Sequence, residues 1–119
     1  MGATSLRGLV SMSSESFKVI VNDVSGIPVV ALVGELDLAS ADGLVASLIG
    51  VPGSPVVVDL AQLSFLDSSG ISALVLAKNQ MDEVGRTLLL TRPTARVLQT
   101  LEIVGLAGWV STWSSDWSE

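Results

Sequence analysis

A short polar stretch, Asp67-Ser68-Ser69-Gly70, carries the side chains of this chain whose types and spacing could do chemistry. All four residues are common where helices begin, because short side chains there accept hydrogen bonds from unpaired backbone N–H groups. The positive end of the helix dipole also stabilises an anion. The hydroxyl of Ser68 or of Ser69 could therefore carry a phosphate group. A purely structural alternative is that Ser68 only caps the helix.

Predicted secondary structure places this stretch between a buried strand and a helix. The apolar residues 56–60 predict the strand, and the mostly apolar residues 71–84 predict the helix. Asp37 follows a second predicted buried strand, residues 29–33. Because parallel strands end at one edge of a sheet, we expect Asp37 and Asp67 to support Ser68 from the same rim. Asp37 could instead be a simple helix cap.

Two carboxylates at one rim could also form an acid/base pair or a divalent metal site. The chain has no histidine and no cysteine, which excludes a Ser-His-Asp set, thiol catalysis, disulfides and imidazole or thiolate metal ligands. Residues 50–54 lack the lysine of a phosphate-binding Walker loop. We therefore expect no enzymatic activity, no metal and no cofactor. The lack of cysteine fits a cytoplasmic protein.

The composition narrows the range of partners. The chain has 119 residues, six basic against twelve acidic side chains and a net charge of −6, which argues against nucleic acid and anionic membranes. Its mean hydropathy of +0.63 is high. Apolar runs such as residues 27–33 are nevertheless far shorter than the roughly 20 residues of a membrane-spanning helix. We expect no membrane insertion, and the apolar surplus instead fits buried strands.

The hydrophobic pattern predicts one α/β domain with a mixed β-sheet of about five strands and crossover helices. We predict a disordered leader at residues 1–16, the domain at residues 17–113 and a polar C-terminal tail at residues 114–119. The predicted strands are residues 17–22, 29–33, 56–60 and 86–91, and a short last strand within 106–113. The predicted helices follow Asp37 or Ser40, span residues 71–84, and begin with Pro93 in the first turn.

Two motifs resemble the STAS domain family, and most closely its bacterial anti-sigma factor antagonists. The first is Leu63-Ser64-Phe65-Leu66-Asp67-Ser68-Ser69-Gly70-Ile71, preceded by Val58-Asp59-Leu60. The second is Gly34-Glu35-Leu36-Asp37, which lies where the family carries its Gly-Glu-(apolar)-Asp turn. The resemblance covers roughly residues 17–113, and the order and separation of the two motifs make it fairly specific.

This resemblance implies a regulatory binding protein. The unphosphorylated protein would bind an anti-sigma factor, typically also a serine kinase, and thereby release a sigma factor for transcription. The kinase would phosphorylate Ser68 and end the interaction, and a serine phosphatase would restore it. In the family the acidic residue of the upstream turn lies near the phosphoserine, which implies that role for Asp37. The alternative is a phosphorylation-independent STAS scaffold or a subunit of a transporter-associated or signalling complex.

We expect the partner to contact the upstream turn, the start of the second helix and the exposed side of that helix. Exposed apolar residues scattered over an ordinary surface are the alternative interpretation of that side. The oligomeric state is left open. The predicted partner-binding residues are Glu35, Asp37, Ser68, Ser69, Ser72, Leu76 and Asn79.

Overall fold

The computed structural model describes residues 8–111, which form one mixed sheet with helices packed against it. The strands are β1 (Leu9–Ser13), β2 (Phe17–Val24), β3 (Ile27–Leu36), β4 (Val56–Asp59), β5 (Leu63–Leu66) and β6 (Leu88–Thr91). The helices are α1 (Leu38–Ala41), α2 (Leu44–Ile49), α3 (Ser68–Glu83) and α4 (Ala95–Ile103), followed by a 3₁₀ turn at Ala107–Trp109. This arrangement confirms the predicted α/β class, with six strands in the described residues where about five were expected.

The sheet has the strand order β1-β2-β3-β4-β6, and β5 pairs with β3. Strands β1, β2 and β3 are antiparallel neighbours, whereas β3, β4 and β6 run parallel to one another. Strand β3 pairs with β4 through Val29 to Ala31 and with β5 through Gly34 to Leu36. Strands β4 and β5 therefore lie end to end along β3, with residues 60–62 between them. We did not predict β5, because the sequence does not show that the chain pairs with β3 again after residues 60–62.

One hydrophobic core joins the sheet to the helices. Strand β4 is buried along its whole length, as expected for a central parallel strand. Helix α3 buries one side, with Ala73, Leu74, Ala77 and Met81 facing the core. The same cluster contains Leu44 and Leu48 of α2 and Val97 and Leu101 of α4. None of the helices formed by residues 8–111 is both long enough and apolar enough to cross a membrane.

The N-terminal prediction is wrong for residues 9–13. We expected a disordered leader through residue 16, but Leu9–Ser13 pair with β2 as β1. Met12 packs against the core, and the backbone N–H of Gly8 donates to Asn22 Oδ1 over 2.6 Å. These contacts give a serine-rich segment enough partners to form a strand. Residues 1–7, and the predicted tail at 114–119, lie outside the described residues.

Three further boundaries differ from the sequence interpretation. The first helix is divided at Gly43, whose φ of 89° is left-handed and ends α1 before α2 begins. Helix α4 starts after Thr94, whose side chain accepts from the Val97 N–H, so Pro93 precedes the helix. The predicted last strand is a 3₁₀ turn and a single bridge between Leu90 and Val110. The Trp109 indole N–H donates to the Leu88 carbonyl over 2.9 Å, which holds this segment against β6.

Candidate functional site

Asp37 and Asp67 follow paired residues of two neighbouring parallel strands. Leu36 of β3 is the register partner of Leu66 of β5, and neighbouring strands lie about 4.8 Å apart. The Asp67 N–H donates to the Leu36 carbonyl over 3.3 Å, which joins the two strand ends directly. The two carboxylates therefore belong to the same edge of the sheet, where each begins a helix.

Asp67 is the N-cap of α3, and this determines where the two candidate serines point. Its Oδ1 accepts from the Gly70 N–H over 3.0 Å, so Ser68 and Ser69 are the first two residues of the helix. Ser68 is exposed and Ser69 is half-buried. Because Asp67 caps the helix, the Ser68 hydroxyl does not. The alternative interpretation, in which Ser68 is the helix cap, is therefore wrong.

Asp37 is the N-cap of the short helix α1 and forms a reciprocal capping box with Ser40. The Ser40 N–H donates to Asp37 Oδ1 over 3.1 Å, and the Asp37 N–H donates to Ser40 Oγ over 2.9 Å. Ser40 is buried, and its hydroxyl lies 2.8 Å from the carbonyl oxygen of Glu35. Hydrogen bonds from the Ser40 backbone and side chain lower the pKa of Asp37 below its ordinary value.

The end of β3, which carries Glu35 and leads into Asp37, is fixed by close backbone contacts at Gly34. The turn expected at residues 34–37 is thus strand through Leu36. Gly34 has a φ of 104°, and a Cβ there would lie only 2.0 Å from the Ser16 carbonyl oxygen. The Gly34 N–H donates to the Gln62 carbonyl over 3.0 Å, and the Glu35 N–H donates to the Ser16 carbonyl over 2.9 Å. Only glycine allows both the positive φ and the close approach of the Ser16 carbonyl. The end of β3 therefore presents the exposed Glu35 side chain in a defined position.

An open groove of about 1160 Å³ runs between α1–α2 and α3, next to the start of α3. Of the predicted partner-binding residues, Ser69, Ser72 and Leu76 line it. Asn79 is exposed on α3 but is not part of this lining. The opposite wall is largely apolar, with Leu38, Val45 and Ile49. We did not predict these three as site residues; Leu38, directly after Asp37, is 74% exposed.

The stretch that contains the two motifs is acidic in sequence, and one of its carboxylates, Asp59, pairs with Arg92. Residues 34–77 contain five acidic and no basic side chains. The nearest basic residue on α3, Lys78, pairs with Asp82 one turn further along, at 2.8 Å. Among residues 8–111, no three Asp or Glu side chains cluster in a way that could hold a metal ion.

Comparison with known proteins identifies relatives of this arrangement. The family model for the STAS domain matches residues 18–116. An anti-sigma factor antagonist from Mycobacterium paratuberculosis superposes with a TM-score of 0.70 at 22% identity, over 90% of this chain and 95% of that one. No curated protein sequence matches significantly.

Two structures of SpoIIAA from Bacillus, an anti-sigma factor antagonist, share the fold at 20% identity. The unphosphorylated form gives a TM-score of 0.68 over 87% of this chain and 92% of that one. The phosphorylated form gives 0.61 over 87% and 96%. The fold thus accommodates both states in that protein.

Proposed function

This chain belongs to the STAS domain family, and on that premise we propose that it is an anti-sigma factor antagonist switched off by phosphorylation of Ser68. The observation that carries the proposal is the position of Ser68: exposed, first in α3, and relieved of capping by Asp67. SpoIIAA, which has the same fold, exists in unphosphorylated and phosphorylated forms.

In this proposal the unphosphorylated protein works in the cytoplasm by binding an anti-sigma factor that is also a serine kinase. Binding releases a sigma factor for transcription, phosphorylation of Ser68 ends the complex, and a serine phosphatase resets it. The protein itself acts as a binder and a substrate.

The contact surface in this proposal has two parts. The first is the acidic edge formed by Glu35 and Asp37 beside Ser68. The second is the groove wall on α3 formed by Ser69, Ser72 and Leu76, which leads away from Ser68. Asn79 extends the exposed side of α3 beyond the groove. A partner seated in the groove would cover Ser68 as well, so one modification could control the whole interface.

The energies favour loss of binding over loss of folding. A phosphate at the start of α3 gains roughly 0.3–1 kcal/mol from the helix dipole, so the fold tolerates it. The same group, with a charge of about −1.5 to −2, must be desolvated in an interface built around a hydroxyl. One partner carboxylate at about 4 Å would add a repulsion of about 4 kcal/mol at an effective dielectric near 20. Half of that repulsion already weakens binding more than tenfold.

The first experiment identifies the modified residue. The protein is incubated with ATP and each candidate anti-sigma kinase of its organism, followed by intact-mass measurement and site mapping. We expect one phosphate, absent from Ser68→Ala and retained in the matched variant Ser69→Ala. A phosphate mapped to Ser69, or none with any kinase, would contradict the proposal.

The second experiment separates a switch from a scaffold. Ser68→Asp should melt like the wild type but lose capture of the anti-sigma factor, whereas Ser68→Ala should keep capture. Equal capture by Ser68→Asp would instead support the phosphorylation-independent scaffold. Unfolding of the phosphorylated protein would reject the electrostatic mechanism altogether.

A further inference from the structure

A surface at the β1 edge of the sheet is built from two segments that contain no charged residue. It is formed by residues 8–14, which include β1, and residues 43–55, which include α2; we call it the uncharged edge. The Ser11 and Ser47 hydroxyls lie 2.5 Å apart and join its two parts. Such an area is unusual on a chain with a net charge of −6.

Strand β1 ends the sheet on this side. Within residues 8–111 no strand pairs with its outer side, so its outward backbone N–H and C=O groups form a template for another strand. Natural edge strands are usually protected by charged side chains or proline, and β1 has neither. A bulge between Val10 and Met12 leaves Leu9 and Val10 in regular pairing with β2.

Apolar side chains are also exposed along this edge. Leu9 is 52% exposed and Val10 is 51% exposed. Beside them lies a hollow of about 300 Å³, whose other walls include Ala46 and Pro52. The uncharged edge therefore has both exposed apolar side chains and a hollow lined mostly by apolar residues.

We propose that the uncharged edge is a homodimer interface, in which β1 pairs antiparallel with β1 of a second copy. Antiparallel pairing about a two-fold axis is self-complementary, since the same edge serves both copies. Two chains of charge −6 repel each other, and the uncharged edge is where they approach without opposing carboxylates. Leu9 or Val10 of each copy then packs against the hollow of the other.

The pairing strand β1 is not adjacent to the strand that ends at the acidic edge. In the sheet, β1 is separated from β3 by β2, and the acidic edge lies at the end of β3. The pairing of a five-residue strand buries a small area, so the dimer is a weak one whose population depends on concentration.

The absence of cysteine gives a direct test of the interface. Full-length single-cysteine variants are made at each position from Leu9 to Ser13 and oxidised, and Gln99→Cys on the exposed side of α4 serves as control. We expect disulfide-linked dimers to peak at the β1 position nearest the two-fold axis, because the bond requires Cβ atoms about 4 Å apart. Equal cross-linking at Gln99 would show random collision and overturn the proposal.

Sedimentation equilibrium of the unmodified full chain supplies the second test. We expect a concentration-dependent dimer that Val10→Lys weakens by more than about tenfold, since the change places like charges across the pairing. Val10→Thr, which keeps the β-branched shape, should retain it, and circular dichroism should confirm that both variants fold. A monomer at all concentrations, or a dimer indifferent to Val10→Lys, overturns the proposal. Ser68→Asp should not change dimerisation, so this test is independent of the proposed switch.

Discussion

Gly70 lies against Leu36 so closely that a Cβ on Gly70 would sit 2.7 Å from the Leu36 Cγ and 2.9 Å from the Leu36 carbonyl oxygen. Leu66 approaches from the other strand, with its Cδ1 at 2.8 Å. The first turn of α3 is thus wedged between the ends of β3 and β5. This contact sets the position of Ser68 relative to Asp37.

Gly70→Ala should therefore destabilise the protein by roughly 1–3 kcal/mol, because the added methyl group forces α3 away from both strands. Urea unfolding followed by circular dichroism measures the change. Gly108→Ala is the matched control, since nothing lies within 4 Å of a Cβ there. A neutral Gly70→Ala would show that α3 can shift freely and that the geometry of the site is not fixed by this contact.

Asp37 should make folding stability dependent on pH in acid. Its pKa in the folded state lies below the ordinary value of 3.8, so the stabilisation is fully present above that value and is lost as the pH falls through the folded-state pKa. Asp37→Asn should lower stability little near neutral pH, since asparagine caps comparably. It should flatten the stability profile below pH 3.8. Denaturant titrations across this range give the measurement.

Ser40→Ala provides the complementary variant, because the Ser40 hydroxyl is one of the donors that hold the Asp37 carboxylate. It should reduce the same acid dependence and also leave the Glu35 carbonyl without this partner. If the acid profiles of the wild type and both variants coincided, the capping box would have no part in the pH response.

Arg86 should contribute more to folding stability than an ordinary surface arginine does. Its guanidinium donates to the carbonyl of Ile49, the last residue of α2, at 3.0 Å. It also donates to two carbonyls of the following loop, Gly53 at 3.0 and 3.1 Å and Val51. Arg86→Met should cost roughly 1–3 kcal/mol, since these carbonyls lose a charged donor. Arg86→Lys should rescue little, because an ammonium group cannot reproduce the planar fork.

Thermal and urea unfolding measure the Arg86 variants, with Arg96→Met on the exposed side of α4 as the control. The control should change stability by less than about 0.5 kcal/mol. Full rescue by lysine would indicate that charge alone, rather than the fork geometry, holds residues 49–53.

The groove makes Leu76 the side chain to change when partner binding is tested. Leu76→Ala removes a 48% exposed apolar side chain from its wall and should weaken capture of the proposed anti-sigma factor partner about tenfold, or roughly 1.4 kcal/mol. Ile103→Ala, which removes a 78% exposed side chain at the end of α4, is the control and should bind normally. Calorimetric titration distinguishes the two. Equal losses, or none, would remove the groove from the interface.

The parts of the fold that depend on local pattern were predictable. The buried strand β4 and the long helix α3 each follow from a few adjacent residues. Strand β5 was not predictable from local pattern. It is defined by the pairing of residues 63–66 with β3, which lies more than 25 positions away in sequence. The division at Gly43 likewise follows from a left-handed backbone that a helical hydrophobic pattern does not reveal.

The candidate site was likewise only partly predictable from the sequence. The sequence indicates that Asp37 and Asp67 begin helices after buried strands, and the structure places them at one edge. The groove depends on the angle between α1–α2 and α3, which is a property of packing. Its Leu38 wall therefore escaped prediction, although Leu76 on the facing helix was included.

The acidic character of residues 34–77 has a consequence for how long a phosphate would persist on Ser68. An arginine or lysine clamp would grip a phosphoester and shield it, but this stretch supplies neither. The backbone amides of the first turn of α3 would hold the group. In the proposed switch, a phosphate on the exposed Ser68 would therefore be accessible to a phosphatase.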